Sequence, residues 1–499
     1  MTNIRINKDE QFIHSLEEKI ENQKIQSNWQ QFKLYYQARK QLIPSTNTLN
    51  CLQYLPNITL LPHQIETCKQ VLQQMNGRAI LADEVGLGKT IEAACIFKEM
   101  LINRTVRKAL ILVPATLVNQ WVQELTEKFL IPVTIYHKNM NWEAADIVVT
   151  SLDLAKRANH RAEIEKIPYD LLIVDEAHKL RNPKTINYQF VQSIQKKYCL
   201  LLTATPIQNR LTDIFHLITI LKPGYLGNLN SFLKQNKKLP TKNEYMKTLL
   251  KGVMVRHTRN QIDLTSSARF IQTIELQFDQ STKELYQFLD ESLSDIPSIT
   301  KWTFLKQLCS SREACYLSLE KMMNETTKQT IEPILEKIAK LPHHVKAEEA
   351  VAYIKQFPNE KIILFTQYKP TQFYLQWYLT EYNIQAVSYT GDMSQSKKSW
   401  MIQQFERNKQ VLIATEAGSE GINLQFANHI INYDLPWNPM RIEQRIGRIH
   451  RLGQKNDVHI IHFAIKDTLE EHVLKTLYDK VSLFERTVGD LDDILSAEK

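Results

Sequence analysis

The stretch RAILADEVGLGKTIEAACIF, residues 78–97, joins a short apolar run, a glycine-containing loop and a helical pattern. This order predicts a strand, a phosphate-binding loop and a helix that begins near Thr90. Gly86 and Gly88 let the backbone turn its N–H groups toward phosphate oxygens, and the helix N-terminus adds its positive dipole. Lys89 would reach the β- and γ-phosphates of a nucleotide, and the Thr90 hydroxyl would ligate Mg²⁺.

One position departs from the general phosphate-loop pattern G-x-x-x-x-G-K-[ST], because Asp83 stands where that pattern has glycine. For this loop taken alone, a glycine turn before a helix with an incidental lysine is the alternative interpretation. A second motif is therefore needed to choose between them.

That motif is DLLIVDEAH at 170–178, in which an acidic pair follows an apolar run. Asp175 then lies at the carboxyl end of a buried strand, where open α/β sheets bind ligands. Asp175 is the second candidate ligand of Mg²⁺, and Glu176 is placed to orient and deprotonate an attacking water. His178 is a candidate link from this site to neighbouring loops. The acidic pair and the glycine loop follow separate strands, which favours an ATP site over a charged surface loop.

The same strand and helix alternation extends along most of the chain and predicts an α/β fold with two doubly wound parallel sheets. One lobe is expected over 51–225 and the other over 341–499. The intervening 226–340 shows helical patterns without strand alternation and is expected to be a helical insert. Residues 1–50 are polar with apolar residues at helical spacing, which predicts one or two surface helices.

Composition sets limits on the class of protein. The chain has 499 residues, a formal net charge of +8 and a pI of about 8.9, which are compatible with a nucleic-acid partner but do not establish one. No apolar run approaches the ~18 residues of a membrane span, and the N-terminus lacks the apolar region of a signal peptide. The 6 cysteines form no C-x-x-C pair, so we expect neither a disulfide framework nor a zinc site. This cysteine usage fits a reducing cytoplasmic setting.

The second lobe contains QRIGRIHRLGQ at 444–454. Arg445, Arg448 and Arg451 recur every third residue, which predicts that they share one helix face. A guanidinium on the developing γ-phosphate charge is worth roughly 10³–10⁵ in rate. Supplying it from a second lobe would make hydrolysis depend on closure of a cleft. A solvated basic helix is the alternative.

The order of the motifs is specific. They are LPHQ (61–64), DEVGLGKT (83–90), ILVPATLVNQW (111–121), DEAH (175–178), LTATP (202–206), ATEAGSEGINLQFANHIINYDLPWNP (414–439) and QRIGRIHRLGQ (444–454). This set resembles superfamily-two helicases, and more narrowly the Swi/Snf-type branch of DNA translocases, over about 60–475. DEAH and LTATP are similar to bacterial relatives such as the RNA-polymerase-recycling ATPase. Asp83 is the residue that this branch carries at its loop.

The resemblance implies a role for each matching residue. Gln64 would read the adenine edge, and Arg448 and Arg451 would be arginine fingers that act with Lys89, Asp175 and Glu176. The ATP-binding loop would comprise Asp83, Glu84, Val85, Gly86, Leu87, Gly88, Lys89 and Thr90. Residues that couple the ATP site to movement would be His178, Thr203, Thr205, Gln444 and Arg445. Contacts to the DNA backbone would come from the loops or strand ends at Thr116, Thr150, Ser151, Thr366, Gln367, Gly418 and Gly421.

The fold implied is two tandem RecA-like lobes with a helical insert between them. The activity implied is an ATP- and Mg²⁺-dependent translocase on double-stranded DNA that remodels protein–DNA complexes without strand separation. A strand-separating DNA or RNA helicase is the closest alternative. Others are a nucleotide-dependent scaffold and the motor subunit of a bacterial or phage defence or RNA-polymerase-recycling system. A protein partner that supplies targeting is expected, and no membrane. The expected location is the cytoplasm of a bacterial cell, including its nucleoid.

Overall fold

The computed structural model describes residues 32–33, 48–137, 140–204, 206, 211–230, 232, 249–259, 262, 267–293, 297–325, 327–415 and 422–475. The chain divides into a unit before Asn50 and a compact unit from Asn50 onward. In the first unit residues 32–33 are helical and 48–49 are also described, so most of the surface helices predicted for 1–50 lie outside the described residues.

A first sheet contains seven parallel strands. They are β1 (Arg78–Leu81), β2 (Ala109–Val113), β3 (Thr134–Ile135), β4 (Ile147–Ser151), β5 (Tyr169–Val174), β6 (Lys196–Leu202) and β7 (Met254–Val255). Their order is β3-β4-β2-β5-β6-β1-β7. All five residues of β2 are buried, as expected for a parallel strand covered on both faces. The parallel direction brings the carboxyl ends of these strands to one edge.

A second sheet contains six strands and is also parallel throughout. They are β8 (Arg269–Leu276), β9 (Ile362–Thr366), β10 (Ala386–Tyr389), β11 (Val411–Thr415), β12 (His429–Asn432) and β13 (Val458–Ile465). Their order is β10-β11-β9-β12-β13-β8. One buried apolar cluster packs on each face of this sheet, which makes it the core of a second lobe.

Helices connect the strands of both sheets. In the first lobe they are α1 (Pro62–Gln73), α2 (Lys89–Ile102), α3 (Val118–Gln123), α4 (Leu152–Ala155), α5 (Ala158–Ile164), α6 (Ile186–Ser193) and α7 (Leu211–Leu221). Between β8 and β9 in the chain, four further helices come first: α8 (Gln280–Ser292), α9 (Ser298–Ser310), α10 (Arg312–Met322) and α11 (Lys328–Ala339). In the second lobe they are α12 (Val345–Gln356), α13 (Lys369–Glu381), α14 (Gln395–Arg407) and α15 (Pro439–Ile446). Helices α8 to α11 enclose an apolar cluster of their own.

The prediction of two doubly wound parallel sheets is confirmed, and the range 226–340, expected to be a helical insert, contains strands as well as helices. This range contributes β7 to the first sheet and β8 to the second. β7 has two residues, and β8 is an edge strand whose Phe270 and Ile271 are 51% and 53% exposed. β7 is buried but too short, and β8 is too exposed, for either to be recognised as a strand from a run of apolar residues.

Two other expectations concern the chain as a whole. All six cysteines are free and buried. Among the described residues no helix combines the length and the apolar character needed to cross a bilayer.

Gly77 joins α1 to β1 in a conformation that a side chain would disturb. Its φ is +67°, and an added Cβ would lie 2.5 Å from Met100 Cε and 2.7 Å from Tyr198 Cδ1. We expect Gly77→Ala to lower the unfolding free energy by about 1–2 kcal/mol from the left-handed backbone and by about 1–3 kcal/mol more from overlap. Chemical denaturation of the purified variant measures this loss.

Gly224→Ala is the matched control for that experiment. Gly224 has a φ of +81°, but nothing lies within 4 Å of an added Cβ, so only the backbone term applies. An equal loss in the two variants would show that the overlap at Gly77 contributes nothing.

Candidate active site

A cavity of about 610 Å³ lies between the glycine loop after β1 and the segment that follows α15. The acidic residues after β5 complete its wall, so residues of both lobes share one space. The lining includes these residues that the sequence predicts for an ATP site: Gln64, Val85, Gly86, Gly88, Lys89, Thr90, Asp175, Glu176, Gln444, Arg448 and Arg451. The structure thus brings together motifs that are more than 350 positions apart in the chain.

The glycine loop takes the conformation that its glycines permit. Gly86 and Gly88 have φ values of 89° and 94°, which residues with a Cβ rarely adopt. Lys89 Nζ donates to the carbonyl oxygens of Asp83 at 2.7 Å and Glu84 at 3.2 Å. Burial lowers the pKa of this lysine, while the acidic groups around it oppose that shift. The ammonium is thereby held at the loop, beside the acidic pair.

Asp83 is an anchor of the loop and does not line the cavity. It is fully buried, and its carboxylate accepts hydrogen bonds from His257 N at 2.8 Å and His257 Nδ1 at 3.1 Å. Burial alone would raise the pKa of Asp83, but the hydrogen bond and charge of His257 lower it overall. The same hydrogen bond raises the pKa of His257, which favours the charged imidazolium beside the buried Asp83 carboxylate.

Glu84 and Leu87 likewise lie outside the cavity lining. The Glu84 carboxylate accepts from Arg259 N at 3.0 Å and Arg259 Nε at 3.1 Å. Arg259 Nη2 also donates to Val85 O at 2.9 Å and to His450 O at 2.6 Å. Arg259 therefore ties the loop of the first lobe to the segment after α15. Sequence reasoning missed His257 and Arg259, although the basic cluster RHTR at 256–259 was the available signal.

The acidic pair sits directly after β5, as predicted. Asp175 Oδ2 accepts from Trp121 Nε1 at 2.9 Å, and its Oδ1 accepts from Glu176 N at 2.8 Å. Burial and the neighbouring Glu176 charge raise the pKa of Asp175 to about 6. Glu176 Oε2 lies 3.0 Å from His178 Nδ1. Burial would raise the pKa of Glu176, but the nearby His178, Lys89 and Arg448 lower it overall. The Glu176 carboxylate is therefore ionised at neutral pH and can accept a proton, and of the two it is Asp175 that has the raised pKa.

The backbone at Glu176 is strained in the manner of functional sites. Its φ of 51° places a residue with a Cβ in the left-handed region. This conformation turns the chain sharply between β5 and the 3₁₀ turn at Ala177–Leu180. It is what sets the Glu176 side chain at the cavity wall.

The prediction that three arginines share one helix face is wrong, because α15 ends at Ile446. Arg445, the last of the three within the helix, is 2% exposed and donates to Asn432 Oδ1 at 2.7 Å and Asp434 O at 2.9 Å. Arg448 and Arg451 lie in the segment that follows and line the cavity. Burial and the Arg448 charge lower the pKa of Arg451 to about 10, which still leaves its guanidinium charged at neutral pH.

The remaining candidates for the ATP site and for coupling occupy different places. Gln64 is 3% exposed and uses its amide to bridge Leu61 N, at 3.0 Å, and Leu87 O, at 3.1 Å. Thr203 is buried after β6, and its N–H donates to Leu81 O at 3.0 Å. Gln444 lines the cavity, whereas Thr205 lies outside the described residues.

Five of the residues expected at DNA are described, and they lie at or just beyond the carboxyl ends of strands. Thr116 follows β2, and the Ser151 hydroxyl caps α4 by accepting from Leu154 N at 3.1 Å. Thr150 and Thr366 are buried, and the Thr366 hydroxyl donates to Asp434 Oδ2 at 2.7 Å. Gln367 is partly exposed beside them, and Gly418 and Gly421 lie outside the described residues.

Comparison with known proteins gives the site a context. Residues 63–344 match the SNF2-related domain, and residues 343–453 match the helicase conserved C-terminal domain. The chain is 49% identical over 503 residues to "Uncharacterized ATP-dependent helicase YqhH" of Bacillus subtilis strain 168, covering 98% of this chain and 90% of that protein.

A more distant relative and one solved structure add to this. The chain is 28% identical to "RNA polymerase-associated protein RapA" of Actinobacillus pleuropneumoniae serotype 3 strain JL03, over 86% of this chain and 50% of that protein. It therefore spans about half the length of this relative. The Hef helicase domain of Pyrococcus furiosus has the same fold, with a TM-score of 0.55 and 17% identity over 83% of this chain and 97% of that one.

We expect Glu176→Gln to retain nucleotide binding and to lose turnover by about 10²–10⁴-fold, the usual contribution of a general base. The amide keeps the shape of the side chain but cannot accept the proton. ATP binding is measured by titration with a fluorescent analogue and turnover by phosphate release. Glu127→Gln, which removes a charge from the exposed rim of the same cavity, should leave both unchanged. Normal turnover in Glu176→Gln would show that the base is misassigned.

We expect Arg448→Ala to lower the rate of ATP hydrolysis by about 10³–10⁵-fold while affinity for ATP stays close to that of the wild type. The reason is that the guanidinium faces Glu176 from the second lobe and acts on charge that develops during reaction. Arg441→Ala on α15 is the control, because Arg441 is exposed and lies outside the cavity lining. A parallel loss in both variants would assign the effect to α15 rather than to Arg448.

Proposed function

The chain belongs to the SNF2-related family of ATP-dependent helicases, and from this premise we propose that it is an ATP-driven translocase on double-stranded DNA that does not separate the strands. Its activity as an ATP hydrolase follows from the family. The observation that carries the motor proposal is the shared cavity, in which Glu176 of one lobe and Arg448 of the other lie together. Hydrolysis then requires both lobes in contact, so each turnover is linked to their movement.

The residues present fit Mg²⁺ as the metal of this reaction. Thr90 and Asp175 offer a hydroxyl and a carboxylate oxygen to the same cavity, and oxygen ligands are what Mg²⁺ prefers. When bound, Mg²⁺ supplies positive charge to the β- and γ-phosphates. Trp121 and the N–H of Glu176 fix the orientation of the Asp175 carboxylate beforehand.

The chain's own groups divide the work of hydrolysis. Glu176 accepts the proton of the attacking water, since its carboxylate is ionised and reaches the cavity. Lys89 exchanges its two carbonyl partners for phosphate oxygens when nucleotide enters the loop. Arg448 and Arg451 stabilise the charge that develops on the transferred group.

Membership of the family and the residues at the carboxyl ends of the strands support binding to DNA. Thr116, Ser151 and Gln367 lie at or just beyond the carboxyl ends of β2, β4 and β9. In each sheet the parallel strands end at one edge, so these positions are suited to contact phosphates along a duplex. Because Thr150 and Thr366 are buried, we assign them to holding the backbone of these loops. Binding through phosphates is independent of sequence and weakens with salt.

Similarity to the RNA polymerase-associated protein favours one biological setting among the alternatives. In that setting a protein partner in the bacterial cytoplasm directs the motor to its target. The name of that relative makes RNA polymerase the first partner to test by affinity purification. The chain spans about half of that relative, so this partner is part of the proposal.

We expect duplex DNA to stimulate ATP hydrolysis more strongly than single-stranded DNA or RNA of the same sequence. The DNA concentration that gives half-maximal stimulation should rise with salt concentration, linearly on a log–log plot, as expected for phosphate contacts. Displacement of a third strand from a triplex reports translocation, and displacement of one strand of a duplex reports unwinding. Stronger stimulation by single strands or RNA, or ATP-dependent unwinding, would favour the strand-separating helicase instead.

A further inference from the structure

Three ionisable side chains meet in the interior next to the glycine loop, outside the lining of the nucleotide cavity. His63 comes from α1, Asp83 from the end of β1 and Glu92 from α2. Their exposed fractions are 7%, 0% and 0%. One potential ligand atom from each lies within 4.8 Å of the others.

Several polar atoms of this cluster are buried without a hydrogen-bond partner. They are His63 Nδ1, both carboxylate oxygens of Glu92 and the Thr67 hydroxyl oxygen. Leaving buried polar groups unsatisfied costs roughly 1–3 kcal/mol each, and more for a charged group. These buried atoms therefore need a partner that the described protein atoms do not supply.

The hydrogen bonding of His63 leaves one ring nitrogen available to a metal ion. Its Nε2 lies 3.4 Å from Leu87 O, which places the proton on Nε2 and leaves the Nδ1 lone pair free. A metal-binding histidine usually donates its other ring N–H to a carbonyl or carboxylate in this way.

The charge of the cluster also favours a cation. Asp83 is paired with His257, but the structure describes no ion pair for Glu92, whose polar neighbours are Asp83 and the Thr67 hydroxyl. Two adjacent buried carboxylates repel each other unless one of them holds a proton or positive charge lies between them. A water molecule would supply hydrogen bonds but no charge.

We propose that His63, Asp83 and Glu92 bind a divalent transition-metal ion, namely Zn²⁺. A ligand set of one imidazole and two carboxylates suits zinc, whereas Mg²⁺ and Ca²⁺ favour oxygen ligands alone. The centre of a triangle with 4.8 Å sides lies about 2.8 Å from its corners, and zinc bonds to nitrogen and oxygen are about 2.0–2.2 Å. Small inward side-chain movements close that difference.

This site is separate from the Mg²⁺ expected at Thr90 and Asp175, and it differs from the expectation of no zinc. That expectation rested on the absence of paired cysteines, and none of these ligands is a cysteine. Because they come from three elements, their spacing in the sequence forms no motif. The ion would join α1, the base of the glycine loop and α2, and so hold the loop in place.

The experiment measures metal in the full chain, expressed in zinc-supplemented medium and purified without chelator, Mg²⁺ or nucleotide. Elemental analysis should find close to one zinc per chain in the wild type. Glu92→Gln and His63→Gln should bind Zn²⁺ more than about 100-fold more weakly in a chelator competition, since losing even an outer partner costs roughly 10–100-fold. Glu99→Gln is the matched control: Glu99 is a buried carboxylate on the same helix, held by Cys51 N at 2.7 Å, and should keep the metal.

A wild-type chain without zinc would overturn the proposal and leave the cluster as a hydrated or proton-sharing pair. Undiminished zinc in Glu92→Gln would overturn it as well, because the metal would then lie elsewhere. Where a variant does not fold, the spectrum of the cobalt-substituted wild type decides. Visible bands without a thiolate-to-cobalt charge-transfer band support this ligand set, and a strong thiolate band contradicts it.

Discussion

Close contact between the glycine loop and the segment after α15 is the constraint on which the site depends. Gly447 packs against Val85 so closely that a Cβ at Gly447 would overlap the Val85 side chain. The carbonyl of Gly86 accepts the N–H of Leu452 at 3.3 Å. Glu176 and Arg448 share a cavity only while this contact holds. The catalytic arrangement is thus a property of the pair of lobes and not of either one.

Partly buried pairs of acidic and basic side chains keep the loop in position for that contact. Asp83 is bound by His257, and Glu84 by Arg259, and both partners come from the segment that follows β7. Charges buried in this way are held by strict geometry, since breaking one pair leaves the other charge uncompensated. This explains why an aspartate at 83 serves better than the glycine of the general pattern. Gly86 and Gly88 retain the flexibility, and Asp83 fixes where the loop begins.

Much of this fold could be predicted from the sequence because buried parallel strands are continuous apolar runs, as in LLIV before Asp175. The glycine loop and the acidic pair could be found because their function requires particular residues at the ends of such strands. β7 and β8 could not be predicted from the sequence, because their partner strands lie far away in the chain and no local periodicity marks them. The three arginines could not be placed from the sequence either. Their spacing of three residues predicts one helix face, but α15 ends at Ile446, so Arg445 is buried in the core and Arg448 lines the cavity.

Asp434 shows why a motif residue can matter without touching substrate. Its carboxylate accepts from the Thr366 hydroxyl at 2.7 Å and from Gln367 N at 2.8 Å, which fixes the end of β9. Its carbonyl accepts from Arg445 at 2.9 Å, three residues before Arg448. The end of β9 and the approach to the arginine segment therefore share one buried anchor. Because packed interiors shift as units, a displacement of either segment must move the other or break these bonds.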